Sequence, residues 1–210
     1  MSDILWIRRD LRIHDNPALV SAVENGVSIA VFISTPQQWQ QHHLAPIKAD
    51  FIYRHLKQFE SQLAEFGITL LHLKATDFND QATQLINLCK QVDATCVYAN
   101  SEPEVDEQLR DKRLIATGIK LKITDCDTIL PLGSVLNKQG EMFKVFTPFK
   151  NAWLKEVQAK GIICSHAPVH SKGSAQAGSA QADSSETDSL QNLSTQNPTP
   201  LNQSLSGFSG

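Results

Sequence analysis

The sequence predicts an α/β fold: a Rossmann-like, doubly wound five-stranded parallel sheet in the order 3-2-1-4-5, with a disordered C-terminal tail. Three observations predict it. Short apolar runs recur without polar alternation, as strands buried on both faces do. Segments of helical period separate them and are long enough for right-handed crossovers. From Ser171 the composition then changes. The last 40 residues hold ten serines and only four charged residues, Lys172, Asp183, Glu186 and Asp188. Such a tail cannot bury enough apolar surface to offset its ordering entropy.

The first strand is Ile4 to Ile7, and it runs into the charged loop Arg8-Arg9-Asp10-Leu11-Arg12. Asn16-Pro17 then opens a helix, because Asn caps well and Pro fits the first helical position. Asn25-Gly26 stops it, and Val27 to Ile33 reads as strand 2. PQQWQQHHLAP, with Trp39, His42 and His43, is a loop or short helix. Phe51, Ile52, His55, Leu56, Phe59, Leu63 and Phe66 recur at helical spacing and predict a long helix over 47–66. Ile68 to Leu73 is strand 3. Asn79 or Asp80 caps a helix through Cys89, and Ala94 to Tyr98 is strand 4. Pro103 starts a helix whose first turn is rich in Glu and Asp, favoured there by the helix dipole. Gly118 ends it, and Ile119 to Ile123 is strand 5. The apolar stripe from Phe143 to Trp153 reads as core, with a helix over 148–158 packed on the sheet.

In this strand order strand 1 is central. The switch point lies between strands 1 and 4, and ligands bind at the carboxyl ends of the strands there. The chain has 210 residues, 41% hydrophobic and 20% charged, with a net charge of −3. That balance gives no global attraction to nucleic acid. No signal peptide and no apolar run long enough to span a bilayer is present, which points to the cytoplasm and away from a membrane partner. Cys89, Cys96, Cys126 and Cys164 show no CxxC spacing and read as free thiols.

Phosphate cradles of the GxxxxGK[ST] or GxGxxG type are absent, as is a GxSxG nucleophile elbow. His42-His43 lacks Cys or carboxylate partners in sequence, so no metal is expected. The Arg8–Arg12 run reads as structural ion pairing. Glu102, Glu104, Asp106 and Glu107 follow strand 4, at the ligand-binding edge. Helix-start electrostatics accounts for them. A carboxylate there can also hold the amino-pyrimidine edge of a pterin or flavin-like ring, which offers paired donors.

LWIRRDLRIHDNPAL, STPQQWQQHH, YANSEPEVDEQLRD and MFKVFTPFKNAWL occur in order along residues 3–158. Together they resemble the DNA photolyase and cryptochrome family, in particular the bacterial class I cyclobutane pyrimidine dimer photolyases. The resemblance implies an α/β antenna-binding domain over 1–165 and a Ser/Gln/Asn-rich interdomain linker over 166–210. The family's helical FAD-binding domain, which is also its contact with damaged DNA, is expected to be absent from this chain, which should leave part of the Phe143–Trp153 stripe exposed. FAD and that domain would then be partners only in a longer parent protein, and this chain alone is expected to carry no catalytic residue.

The antenna that the resemblance implies is 5,10-methenyltetrahydrofolate, with a deazaflavin as the alternative. His42 matches the family's folate-contacting histidine, and Asp106 and Glu107 match its Asn-Glu pair. Asp106 replaces the usual Asn and removes an amide donor. Part of the folate pocket is expected from the helical domain, so binding to this chain alone should be weak. A cryptochrome-type photoreceptor and a stand-alone pterin- or nucleotide-binding module are the competing readings of function.

Overall fold

The computed structural model describes residues 3–162 and 164–168. The expected linker over 166–210 therefore lies almost wholly outside the described residues.

The element order is β1 (Ile4–Ile7), α1 (Pro17–Glu24), β2 (Ile29–Ser34), α2 (Pro36–Gln41), α3 (Pro46–Ala64), β3 (Thr69–Lys74), α4 (Phe78–Gln91), β4 (Cys96–Asn100), α5 (Val105–Ala116), β5 (Lys120–Thr124) and α6 (Phe146–Lys160). The five strands form one sheet in the order β3-β2-β1-β4-β5, and every pairing is parallel. Strand β1 pairs with β2 in the register Ile4 to Ile29 through Ile7 to Phe32. It is buried along its whole length.

The pleat sends alternate side chains to opposite faces, which builds two cores. Leu5, Ile7, Ala30 and Phe32 join α1 and α3 through Leu19, Leu56, Phe59 and Leu63 on one face. Ile4, Trp6, Ile29, Val31 and Ile33 join α4 and α5 through Leu85, Leu88 and Leu114 on the other. Each such large side chain stabilises the fold by roughly 2 kcal/mol over exposure.

Local chemistry sets the helix starts. Asn16 caps α1, its side chain accepting from the Leu19 N–H at 3.1 Å. Two starts differ from expectation. Helix α4 is capped by Asp77, whose Oδ1 accepts from the backbone N–H groups of Asn79 and Asp80. Both expected caps therefore lie inside its first turn. Helix α5 begins at Val105, with Glu104 in extended backbone at its cap, so Pro103 precedes the helix.

Helix α6 also departs from expectation. It is longer than predicted and buries none of its residues. Phe146 is 73% exposed and Val145 62%. Phe143 and Phe149 pack edge-on against each other, not into the sheet. The aromatic stripe is thus a surface, not core. Cys89 and Cys96 are buried free thiols, whereas Cys126 is half-buried and Cys164 is exposed.

Candidate functional site

The carboxyl ends of β1, β2 and β4 converge on a charged floor. Arg8, just past β1, donates from Nη1 and Nη2 to both carboxylate oxygens of Asp111, at 3.0 and 2.9 Å. Its Nη1 also reaches the Asn100 carbonyl at 3.0 Å. Arg110 donates to Glu102 and to Gln81, each at 2.8 Å. Both guanidiniums lie over the buried Trp6 ring, 4.1 and 4.4 Å from its centroid. Two buried cations are thereby balanced by two buried carboxylates, which such burial requires. Arg9 is exposed and bridges Glu102, Glu104 and Asp127. Arg8 and Arg9 are therefore structural ion pairs, as the sequence predicts, whereas Arg12 is held by the Asp15 backbone carbonyl instead of a carboxylate.

Behind the floor, Asn100 at the end of β4 donates to Asp10 and to Asn16 Oδ1 and accepts from the Ala18 N–H. This network holds the β1–α1 turn against β4.

Above the floor opens a cavity of about 530 Å³. Its apolar walls are Ile7, Phe32, Trp39, Phe51 and Ile52, and its polar lining includes Arg12, Lys48, His55 and Glu107. The His55 ring is fixed by a 2.6 Å hydrogen bond between Nε2 and the Leu11 carbonyl, where only a protonated Nε2 can donate. Phe51 stacks parallel on it, with centroids 5.9 Å apart. Glu107 is half-buried in the first turn of α5. Burial, with Glu102 and Glu104 nearby, holds its carboxyl above the ordinary range, against the pull of Arg110. A ligand edge with two N–H donors stabilises the charged form of such a carboxyl. An aromatic-walled cavity with one such carboxyl and several cations suits a flat heteroaromatic ring with an acidic arm.

The three sequence candidates are placed differently. Glu107 is on the cavity wall. His42 caps the end of α2 and is exposed, outside the cavity lining. Asp106 is exposed beside Glu107, also outside the lining. His42 follows β2 and Asp106 follows β4, on either side of β1. Sequence reasoning missed Arg12, Lys48, Phe51 and His55 as cavity residues. Phe51 was one position in a core-facing periodicity, and spacing alone does not show that it is 61% exposed. Among the described residues no group of three or more His, Cys, Asp and Glu is placed to hold a metal. No helix among them is long and apolar enough to cross a membrane.

Fold and cavity together define a doubly wound α/β domain with a cavity at the carboxyl edge of its sheet. The model of the DNA photolyase family matches residues 3–170. The chain belongs to that family. It is 45% identical to a deoxyribodipyrimidine photo-lyase of Vibrio cholerae over 79% of this chain and 36% of the relative. Against the Escherichia coli protein of the same name it is 38% identical, over 82% and 38%. Against cryptochrome-1 of Arabidopsis thaliana it is 30% identical, over 70% and 22%. The chain thus spans a little over a third of the length of these bacterial relatives. Among solved structures, a Synechocystis cryptochrome superposes with a TM-score of 0.63 at 24% identity, covering 80% of this chain and 36% of that one. A class III photolyase from Agrobacterium tumefaciens gives 0.55 at 22%, over 80% and 34%. At those identities the superpositions speak for the fold alone.

Proposed function

We propose that this chain is the antenna-chromophore-binding domain, over residues 1–165, of a cytoplasmic light-driven deoxyribodipyrimidine photolyase that repairs cyclobutane pyrimidine dimers. Residues 166–210 are its linker to a helical domain. The observation that carries the reading is the half-buried Glu107 carboxyl on the wall of an aromatic cavity at the sheet's switch point.

The residues present fit a 5,10-methenyltetrahydrofolate. The Glu107 carboxylate accepts from the amino-pyrimidine edge of the pterin, and that edge relieves the unfavourable placement of its charge. His42 and Asp106, exposed outside the cavity lining, are the further contacts that the family resemblance implies. When bound, the folate supplies absorption of near-ultraviolet and blue light, and in the parent protein that energy serves FAD. This chain's residues bind and orient the pigment and keep one face of it from water. None of them is assigned to FAD, to the dimer or to electron transfer.

Repair is favoured over signalling because the bacterial photo-lyases are 38–45% identical to this chain, against 30% for the plant cryptochrome. One observation favours a second antenna. The aromatic walls Phe32, Trp39 and Phe51 of the cavity suit the flat ring of a deazaflavin as well as that of a pterin.

An absorbance titration with methenyltetrahydrofolate tests the reading. The expected result is saturable one-to-one binding, weaker than micromolar, with a shifted absorption band. A spectrum that stays that of the free folate at saturating protein contradicts it.

A further inference from the structure

The β1–α1 turn links the cavity to the returning end of the described chain. Arg12 lines the cavity. A neutral acceptor holds its guanidinium: Nε and Nη2 donate to the Asp15 carbonyl oxygen at 3.1 and 2.9 Å. Asp15 has φ +50°, in the left-handed region that Asp enters more readily than most residues with a Cβ. From that conformation Asp15 grips Ser165 twice. Its N–H donates to the Ser165 carbonyl at 2.8 Å, and its Oδ1 accepts from the Ser165 N–H at 3.0 Å. Ser165, Ala167 and Pro168 lie against Val20, Val23 and Glu24 around a surface hollow on α1.

We propose that Arg12, Asp15 and Ser165 form a latch that reports the arrival of an anion at the cavity wall to residues 164–168. A carboxylate or phosphate competes well with a carbonyl for a guanidinium, because charge-assisted hydrogen bonds are roughly twice as strong as neutral ones. Arg12 turned toward such an anion leaves the Asp15 carbonyl without its two donors. Asp15 is then free to leave the left-handed region, and the grip on Ser165 goes with it. The neighbouring Asn16 stays fixed. It is buried, its Nδ2 donates to the Asp10 and Arg12 carbonyls, and its Oδ1 accepts from Asn100. The rearrangement is confined to the Arg12 side chain, Asp15 and the segment at Ser165. Coupling is reciprocal, so a gripped Ser165 keeps Arg12 on Asp15 and weakens binding of the anion. The inference rests on the folate reading for its anion, since a folate brings glutamyl carboxylates.

Hydrogen exchange by mass spectrometry on the full chain tests the latch, read in peptides that contain Ser165. Without ligand, Arg12→Gln and Asp15→Ala are each expected to speed exchange there by about tenfold, as loss of hydrogen bonds to a charged group implies. The double variant is expected to exchange no faster than either single variant. Arg12→Lys keeps the charge but not both bonds and is expected to fall between. Exchange of α3 peptides, unchanged throughout, shows that each variant folds. Unchanged exchange at Ser165 in Arg12→Gln, or an additive double variant, overturns the latch. Folic acid is expected to speed exchange at Ser165 in the unmodified chain, and 6-methylpterin, which lacks carboxylates, is not. Folic acid that binds in equilibrium dialysis without changing exchange at Ser165 also overturns it. Folic acid that does not bind contradicts the folate reading alone, and the ligand-free variants still decide the latch.

Discussion

Arg8 and Asp111, 103 positions apart in sequence, close a two-bond guanidinium–carboxylate pair beneath the cavity, at 3.0 and 2.9 Å. The side chains are 3% and 7% exposed. The pair ties the end of β1 to α5, so it sets the distance between the strand that centres the sheet and the helix that carries Glu107. Removing one partner strands a buried charge. Asp111→Ala is expected to cost about 3 kcal/mol or more, read as a lower urea midpoint. Arg8→Met with Asp111→Leu is expected to cost less than the two single changes added together. An unchanged midpoint in Asp111→Ala contradicts the role given to the pair.

His72, in β3, is half-buried as the neutral imidazole. Its Nε2 lies 2.9 Å from Ser34 Oγ, and its ring meets Phe32 and Tyr53. Burial, with Lys74 adding to it, pushes its pKa down to about 4 from 6.5. Above pH 6.5 folded and unfolded chains both hold it neutral. As pH falls from 6.5 toward 4, the unfolded chain binds a proton that the folded chain refuses, so stability falls through that window. The loss is on the order of 3 kcal/mol once pH is below 4. Urea unfolding at pH 7 and pH 4.5 measures it, and His72→Gln is expected to flatten the difference. Equal loss in both proteins removes His72 as the cause.

Much of the fold was legible because its signals are local. Four buried apolar residues mark β1, and Asn16-Pro17 marks the start of α1, within one turn of chain. The cap of α4 was misread because Phe78 separates Asp77 from two further polar residues, any of which can cap. Helix α6 was misread for a different reason. Aromatic spacing from Phe143 to Trp153 shows that a face is apolar, but not whether anything covers it. At the site, Glu107 was legible through family motifs and helix-start chemistry. Arg12, Lys48 and Phe51 were not, because they meet only when the β1 loop and α3 converge, and no spacing records that convergence.

The face around α6 leads to a third prediction. Met142, Val145 and Phe146 are 75%, 62% and 73% exposed, an apolar surface of the kind that drives association. Light scattering is expected to show self-association of this chain as concentration rises, and Phe146→Ser is expected to reduce it. A monomer at high concentration contradicts this.

Repair is expected to be absent from this chain alone. It spans 36–38% of the length of the bacterial photo-lyases it resembles, and the proposed function gives its cavity residues a pigment-binding role. Illumination with added FAD and a dimer-containing oligonucleotide is expected to leave the dimer intact, read by chromatography of the oligonucleotide. Any light-dependent turnover refutes the assignment of catalysis to another part of the parent protein.

Glu107 carries the central claim, and one comparison tests it most directly. Methenyltetrahydrofolate is titrated into the unmodified chain and into Glu107→Ala, with the absorption band as readout. One lost charge-assisted pair predicts affinity lower by about tenfold or more in the variant, with the fold intact by circular dichroism. Equal affinity in the two proteins contradicts the placement of the pterin edge on Glu107.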